Sequence, residues 1–299
     1  MRQSLWRGRG MISDDTEHTA LVASALIETG HDPERFAKVL ARGLRRWLLA
    51  LPPGVGLATL RALLRSWVGF GPARSGVFSA GNGPAMRAAL LGLWAEDEAE
   101  LWALVRASSR LTHTDPRAAA GATLVARWAR EAGAPSDRIA AIARELEGVD
   151  DLRERVLEAI AAAERGDSLE VYAQTHDARL GVTGFIVETM PAVVYCWLRH
   201  RGDPRATLEA VVRLGGDTDS VGAIVGALLG AEHGASGLPA DWIEGIRDWP
   251  IGVPHLHALA GALVEDQPRP RIPWIGQLGR NLALLGIVVA HVGARIFGY

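Results

Sequence analysis

Apolar residues recur along this chain with the period of an α-helix. The segment 15–29 places Leu21, Ala25 and Ile27 among polar residues, follows a Ser/Asp cluster and ends before Gly30. Polar residues with short side chains are typical of helix starts, and glycine is typical of helix ends. We therefore predict a capped helix over this segment.

The same pattern continues through most of the sequence. Further stretches rich in Ala, Leu and Arg are separated by Gly, Pro or Asp, which commonly end helices. They cover residues 34–50, 57–69, 84–107, 117–132, 136–147, 151–164, 184–200 and 204–214. Period-two alternation of Val, Ile, Thr and aromatic residues is hard to find, so an α/β or all-β fold has little support. The sequence predicts an all-α protein.

The end of the chain has a different character. Three prolines lie between positions 268 and 273, and residues 282–292 are almost wholly apolar. A transmembrane helix needs roughly 20 apolar residues, so a buried or surface-docked helix is the favoured interpretation. We predict one helical domain over residues 1–267, an apolar C-terminal extension over 268–299, and no transmembrane segment.

The charge balance, the cysteine count and the first residues of the chain limit which partners and which cellular compartment we expect. The 32 basic and 34 acidic residues nearly cancel, so no overall field favours nucleic acid or an anionic membrane. Cys196 is the only cysteine, which excludes an internal disulfide and a thiolate metal cluster, and we expect it to be buried. The first ten residues lack the apolar core of a secretory signal, so we expect a cytoplasmic protein.

Two acidic clusters carry the strongest chemical signal. In Leu-Gly-Gly-Asp-Thr-Asp-Ser-Val, residues 214–221, two glycines end one helix, and Asp217 or Asp219 could cap the next. The turn is equally compatible with an ordinary cap and with a site that uses two carboxylates and a hydroxyl.

The second cluster favours a metal site. Ser13, Asp14 and Asp15 also precede a helix, where Glu17 could complete a capping box. A cap needs one such side chain, and adjacent carboxylates repel each other unless a cation is bound. Oxygen ligands without His or Cys suit Mg²⁺, Mn²⁺ or Ca²⁺ rather than Zn²⁺, and four carboxylates could hold two ions. If the two turns do not meet, both remain caps.

Three glycines follow the second acidic turn at helical spacing. Gly222, Gly226 and Gly230 are four residues apart and therefore share one helix face. Each lowers helix propensity by about 1 kcal/mol relative to alanine. We expect this face to be buried against the backbone of another helix.

Between the acidic clusters lies a glycine-rich turn within residues 76–87. Gly81 and Gly83 would let backbone amides approach a ligand, and a helix starting near Pro84 would present free N–H groups to phosphate oxygens. We expect this to be the only glycine-rich turn that leads into a helix start. In the polar loop 112–116, His113 could contact a phosphate or a ribose, although a lone loop histidine often has no specific role.

Together these segments resemble the ADP-ribosylglycohydrolase family, which includes dinitrogenase reductase activating glycohydrolases and eukaryotic ADP-ribosylhydrolases. The matching blocks are SDDTEHTALVASAL, GVFSAGNGPAMRAALLG, THTDPRAAAGA, GFIVETMPAVVYCW and LGGDTDSVGAIVGALLGAEHG. They span residues 13–234, about three quarters of the chain. The resemblance implies a single-domain orthogonal helical bundle with two Mg²⁺ or Mn²⁺ ions.

Carried over position by position, the resemblance implies two sets of site residues. The metal ligands would be Ser13, Asp14, Asp15, Asp217, Asp219 and Ser220. The residues around ADP-ribose would be Ser79, Gly81, Asn82, Gly83, His113, Gly184 and Phe185. Asp14, Asp15 and Asp217 would be the catalytic carboxylates.

The implied activity is metal-dependent hydrolysis of the glycosidic bond in ADP-ribosylated protein or in a small ADP-ribosyl molecule. Family members usually begin with a GxxxGDALGxPxE helix, which we do not find in the dozen residues before Ser13. Either the sequence starts at an internal methionine of a longer gene, or the chain is a shortened branch of the family. The second case leaves a catalytically impaired ADP-ribose-binding or regulatory homologue as the alternative function. The apolar run 282–292 leaves a third possibility, a membrane-docked structural protein.

Overall fold

The computed structural model describes residues 10–176, 178–265 and 267–296, with side chains described as far as residue 286. Within these ranges the chain forms α-helices and two short 3-10 helices, and it has no strand. The α-helices are α1 Asp14–Thr29, α2 Pro33–Leu49, α3 Leu57–Trp67, α4 Ala89–Trp94, α5 Glu98–Arg110, α6 Pro116–Arg130, α7 Ser136–Arg144, α8 Asp150–Arg165, α9 Leu169–Thr175, α10 Ile186–Arg199, α11 Pro204–Leu214, α12 Thr218–His233, α13 Ala240–Gly245, α14 Val253–Val264 and α15 Trp274–Ile296. The predicted all-α class is confirmed.

The predicted single helix over residues 84–107 is wrong. The chain instead forms a 3-10 turn at Ala85–Arg87 and then the separate helices α4 and α5. The Asp97 side chain accepts a hydrogen bond from the amide of Glu100 at 2.8 Å and so caps α5. An aspartate at this position starts a new helix because its side chain satisfies free backbone amides. The sequence does not show the break, since Ala- and Leu-rich residues continue on both sides of it.

The expected close packing on the glycine face of α12 is also wrong. A Cβ atom at Gly226 or Gly230 would meet no atom of the described residues within 4 Å. The tight helix contact lies elsewhere, since a Cβ at Gly92 in α4 would come within 1.8 Å of the Ala126 carbonyl oxygen in α6. Glycine spacing on one helix does not reveal which neighbour approaches it.

Helix α10 forms the centre of the core. Residues from Ile186 to Trp197 are almost all buried, and Cys196 among them is fully buried, as expected. The indole rings of Trp128 and Trp197 lie 6.2 Å apart between α6 and α10. Ile186, the first residue of α10, is also fully buried, and the segment just before it borders the site described below.

The first half of α15 is attached to the rest of the protein by polar contacts. The Arg280 guanidinium donates to Asp248 at 2.7 Å and to the Ile12 carbonyl at 2.7 Å. The Asn281 amide donates to the Ala50 carbonyl at 2.8 Å. Among the described residues, no helix is both long and apolar enough to cross a membrane. The side chains of 287–292 lie outside the described part, and the division at residue 267 stays a prediction.

Candidate functional site

The two acidic turns meet in space. Ser13 precedes α1 and Asp217 precedes α12, two helices that pack against each other. Carboxylate oxygens of Asp14, Asp15 and Asp219 lie within 4.8 Å of one another. The condition on which the metal interpretation depended is therefore met.

Neither turn uses its side chains to cap its helix. Elsewhere in the fold, Asp32, Asp115 and Asp203 each accept backbone amides at the start of a helix. Ser13 and Asp217 make no such bond, although they occupy the equivalent position. The predicted cap of α1 is therefore wrong, and of the two interpretations left open for the second acidic turn, Asp217 does not act as an ordinary cap.

Glu17, which could have completed a capping box, has other partners. Its carboxylate accepts a hydrogen bond from Nε1 of Trp47 at 2.6 Å and lies 3.5 Å from Arg280. It therefore links α1 to α2 and α15. The Ser13 hydroxyl donates to Oδ2 of Asp15 at 2.6 Å, while Oδ1 of Asp15 is buried and has no hydrogen-bond partner in the part of the chain that the structure describes.

The clustered carboxylates hold protons more tightly than usual. Burial, together with the negative charge of the neighbouring Asp15, raises the pKa of Asp14 to about 7. Burial also raises the pKa of Asp15 and of Asp217, and Asp219 adds to the effect on Asp217. Negative charge is therefore unfavourable here unless positive charge is supplied.

The glycine-rich turn lies directly beside the second acidic turn. The side-chain Nδ2 of Asn82 donates to Oδ2 of Asp217 at 2.7 Å, and the backbone amide of Asn82 donates to the Gly184 carbonyl at 2.9 Å. A Cβ at Gly184 would lie 3.3 Å from the same Asp217 oxygen. The segment before α10 thus joins the glycine-rich turn to the acidic turn.

His113 lies against the glycine-rich turn. A Cβ at Gly81 would come within 2.8 Å of Nε2 of His113, and a Cβ at Gly83 within 3.0 Å of Cε1. Only glycine lets the backbone pass this close to the ring without displacement. The imidazole is 4% exposed, and burial, assisted by the nearby Arg87 guanidinium, lowers its pKa to about 3. His113 is therefore neutral at physiological pH.

A cavity of about 380 Å³ connects these groups. Its lining includes Asp14, Ser79, Gly81, Asn82, Gly83, His113, Gly184, Asp217, Asp219 and Ser220. Ser13, Asp15 and Phe185 do not line it. Asp15 is buried behind Asp14, and the Phe185 ring lies outward, 5.4 Å beneath the Arg117 guanidinium.

Sequence reasoning missed the opposite wall of the cavity. Residues 54 and 56–59, at the start of α3, also line it. No side chain caps α3, and Leu60 donates to the Gly56 carbonyl, which leaves the first-turn amides free within the described part. The expectation of a single glycine-rich turn leading into a helix was wrong, since Pro-Pro-Gly-Val-Gly at 52–56 has the same pattern. The turn after Gly83 leads only into a three-residue 3-10 helix.

The acidic cluster fits divalent cations with oxygen ligands. The donor set consists of carboxylates and hydroxyls, and Oδ1 of Asp15 has no hydrogen-bond partner among the described residues. The pKa values of Asp14 and Asp15 are raised first by burial and then by the neighbouring negative charges. A hard cation would bind these oxygen donors, would give Oδ1 of Asp15 a partner, and would compensate the negative charge.

Comparison with known proteins agrees with this geometry. The chain matches a class of hydrolases that act on glycosyl bonds. A model of the ADP-ribosylglycohydrolase family matches residues 1–272, and the chain belongs to that family.

Relatives and a solved structure support the assignment. The chain is 30% identical to human ADP-ribosylhydrolase ARH3 over 63% of its own length and 61% of that protein's length. It is 28% identical to the ADP-ribosyl-[dinitrogen reductase] glycohydrolase of Rhodospirillum rubrum, over 79% of this chain and 73% of the relative. A solved structure, described as an ADP-ribosylglycohydrolase-related protein complex, aligns with a TM-score of 0.63 at 30% identity and covers 84% of this chain and 80% of its own.

Proposed function

We propose that this protein is a divalent-cation-dependent hydrolase that cleaves the glycosidic bond at C1 of an ADP-ribose unit. The unit would be attached to a protein or to a small molecule. The observation that carries the proposal is the shared cavity, because one space of about 380 Å³ is bordered by both acidic turns and by the amide-rich turns. Family membership supplies the reaction class.

Two Mg²⁺ or Mn²⁺ ions would be held by the oxygen atoms of the acidic turns. The ligands would be Ser13, Asp14, Asp15, Asp217, Asp219 and Ser220. When bound, the ions would supply positive charge for the ribose hydroxyls and would polarise a water molecule. Hard oxygen ligands and the absence of His or Cys from the set favour these ions over Zn²⁺.

The charge of the cavity supports a requirement for cations. Three carboxylates line it, and no lysine or arginine is among its described lining residues. A pyrophosphate would therefore be repelled by the side chains alone. Its oxygens would be bound instead by the free amides of α3, by the turn at Gly81 and Gly83, and by His113.

The residues of the chain can then be assigned roles in the reaction. Of the three expected catalytic carboxylates, Asp14 or Asp217 would accept the proton of the attacking water, because both line the cavity and the buried Asp15 does not. The remaining carboxylates would stabilise the positive charge that develops on the ribose ring. Asn82 holds Asp217 in position through the 2.7 Å hydrogen bond.

The test is release of ADP-ribose from ADP-ribosylated arginine and serine peptides, with Mg²⁺, with Mn²⁺ and with chelator. We expect turnover that depends on the cation. Cation-dependent binding of ADP-ribose without turnover would contradict the enzyme assignment and would identify a binding or regulatory homologue.

A further inference from the structure

A positively charged side chain is buried beneath the glycine-rich turn. Arg87 lies in the 3-10 turn that follows Gly83 and is only 1% exposed. Burial lowers its pKa to about 10, so the guanidinium stays charged at neutral pH. No carboxylate among the described residues pairs with it. Its contacts are Oγ of Ser108 at 3.0 Å, the Ser108 carbonyl at 3.1 Å, Oγ1 of Thr112 at 2.9 Å and Nδ1 of His18 at 3.2 Å.

This environment constrains the histidine that Arg87 touches directly. A guanidinium can only donate hydrogen bonds. Nδ1 of His18 must therefore accept, and the ring carries its proton on Nε2. That nitrogen has no hydrogen-bond partner among the described residues, and the ring meets Trp47 edge-on at 4.3 Å.

Arg87 also constrains His113, because the hydroxyl group of Thr112 lies between them. Oγ1 of Thr112 accepts from Arg87 and also lies 2.9 Å from Nδ1 of His113. Thr112 is fully buried, and its hydroxyl has no other partner among the described residues. If Nδ1 of His113 carried the proton, the hydroxyl hydrogen would have no acceptor, at a cost of about 1–3 kcal/mol. The favoured arrangement is Arg87 donating to Thr112, and Thr112 donating to Nδ1 of His113.

The state of Nδ1 determines whether Nε2, on the other side of the His113 ring, carries the proton. With Nδ1 accepting, Nε2 of His113 must carry the proton. This nitrogen borders the cavity beside Gly81 and makes no hydrogen bond to the described residues. It can therefore donate a hydrogen bond to an anionic oxygen, and it would do so as a neutral group because burial and Arg87 keep the pKa of His113 near 3.

We propose that Arg87 is a positioning residue that acts through Thr112 to fix His113 as a neutral Nε2–H donor toward anionic oxygens in the cavity. The identity of the ligand as ADP-ribose rests on the proposed function. The tautomer does not, because it follows from contacts within the protein.

The experiment is long-range ¹H–¹⁵N correlation NMR of the histidine side chains in the full chain without ligand. The His113 signals are assigned by their loss in His113→Gln. We expect Nε2 to be protonated and Nδ1 unprotonated in the wild type. Thr112→Val removes the hydroxyl and should give a mixture of tautomers, whereas Thr112→Ser keeps the hydroxyl and should retain the wild-type signals.

Two arginine variants test whether Arg87 determines the tautomer of His113. Arg87→Met should disturb the signals of both His18 and His113. Arg127→Met removes a mostly buried arginine that pairs with Glu98 and Glu145, and it should leave both histidines unchanged. A wild-type His113 protonated on Nδ1, or wild-type His113 signals in Thr112→Val, would overturn the proposal.

Binding measurements separate this proposal from the proposed function. In the presence of Mg²⁺ or Mn²⁺, Thr112→Val should bind ADP-ribose about tenfold more weakly than wild type, while Thr112→Ser should bind normally. A wild type that binds no ADP-ribose would defeat the proposed function, and the NMR result would still decide the role of Arg87. Equal affinity of wild type and Thr112→Val would contradict the donor role of His113.

Discussion

Asn82 and Asp217 are 135 positions apart in the sequence, and their side chains share a 2.7 Å hydrogen bond. Asn82 belongs to the glycine-rich turn and Asp217 to the second acidic turn. The side-chain amide of Asn82 donates to one carboxylate oxygen of Asp217 and so connects these two turns, which form chemically different walls of the cavity. The loss of this bond should therefore affect ligand binding and the acidic centre at the same time.

We expect Asn82→Ala to weaken ADP-ribose binding by about tenfold or more, since the lost hydrogen bond involves a charged partner. His113→Ala should weaken it similarly by removing a donor. Calorimetry with Mg²⁺ present measures both. His257→Ala is the control because this histidine is exposed on α14, outside the cavity lining. If both cavity variants bind as tightly as wild type, the assignment of the ADP-ribose site is wrong.

Asp14→Asn and Asp217→Asn should each abolish ADP-ribose release while the fold stays intact. The substitution keeps the shape of the side chain but removes the charge that a hard cation requires. In chelator, thermal stability should change little or rise, because one repelling carboxylate is gone. Turnover at the wild-type rate in either variant would refute the role of the acidic turns.

Bound cations should stabilise the protein by an amount that grows with the logarithm of the cation concentration above the dissociation constant. At a cation concentration about 100 times the dissociation constant, the gain is about 2.7 kcal/mol, which corresponds to a rise in Tm of several degrees. Melting curves in Mg²⁺, Mn²⁺ and chelator measure this, and elemental analysis counts the ions. We expect two per chain, and a single zinc would argue against the oxygen-ligated pair.

The start of α3 offers a test of anion binding that leaves the acidic turns unaltered. Ala58→Asp should weaken ADP-ribose binding by placing a negative charge beside the free amides. The same charge favours the first turn of a helix, so stability should hold or rise by about 0.3–1 kcal/mol. Ala58→Asn is the neutral control of the same size. Equal affinity of the two variants would show that the phosphates bind elsewhere.

The buried, neutral state of His113 predicts a specific dependence of stability on pH. Its folded-state pKa of about 3 lies below the usual value of 6.5, so the unfolded chain takes up a proton first as the pH falls. The contribution to stability is complete above pH 6.5 and is lost progressively toward pH 3. Between pH 7 and pH 5, wild type should lose about 2 kcal/mol relative to His113→Gln, because a shift of one pKa unit corresponds to about 1.4 kcal/mol. Denaturant unfolding at both pH values measures the difference, and parallel curves would contradict it.

The sequence alone determined the fold class and the presence of two acidic helix starts. The helical period and the glycines that end helices depend on residues close together in the sequence, so the bounds of α1 and α11 could be predicted closely. The break between α4 and α5 could not be, because Ala- and Leu-rich residues continue on both sides of Asp97.

Tertiary structure decided which of these local features belong together. Only packing could show that the acidic turns are not caps, that the start of α3 forms the second amide-rich wall, and that Gly92 rather than Gly226 is the close contact. The link from Arg87 through Thr112 to His113 is equally invisible in the sequence. Hydrogen bonds and close approaches between distant positions depend on how whole helices are oriented, and the periodicity of each helix does not encode that orientation.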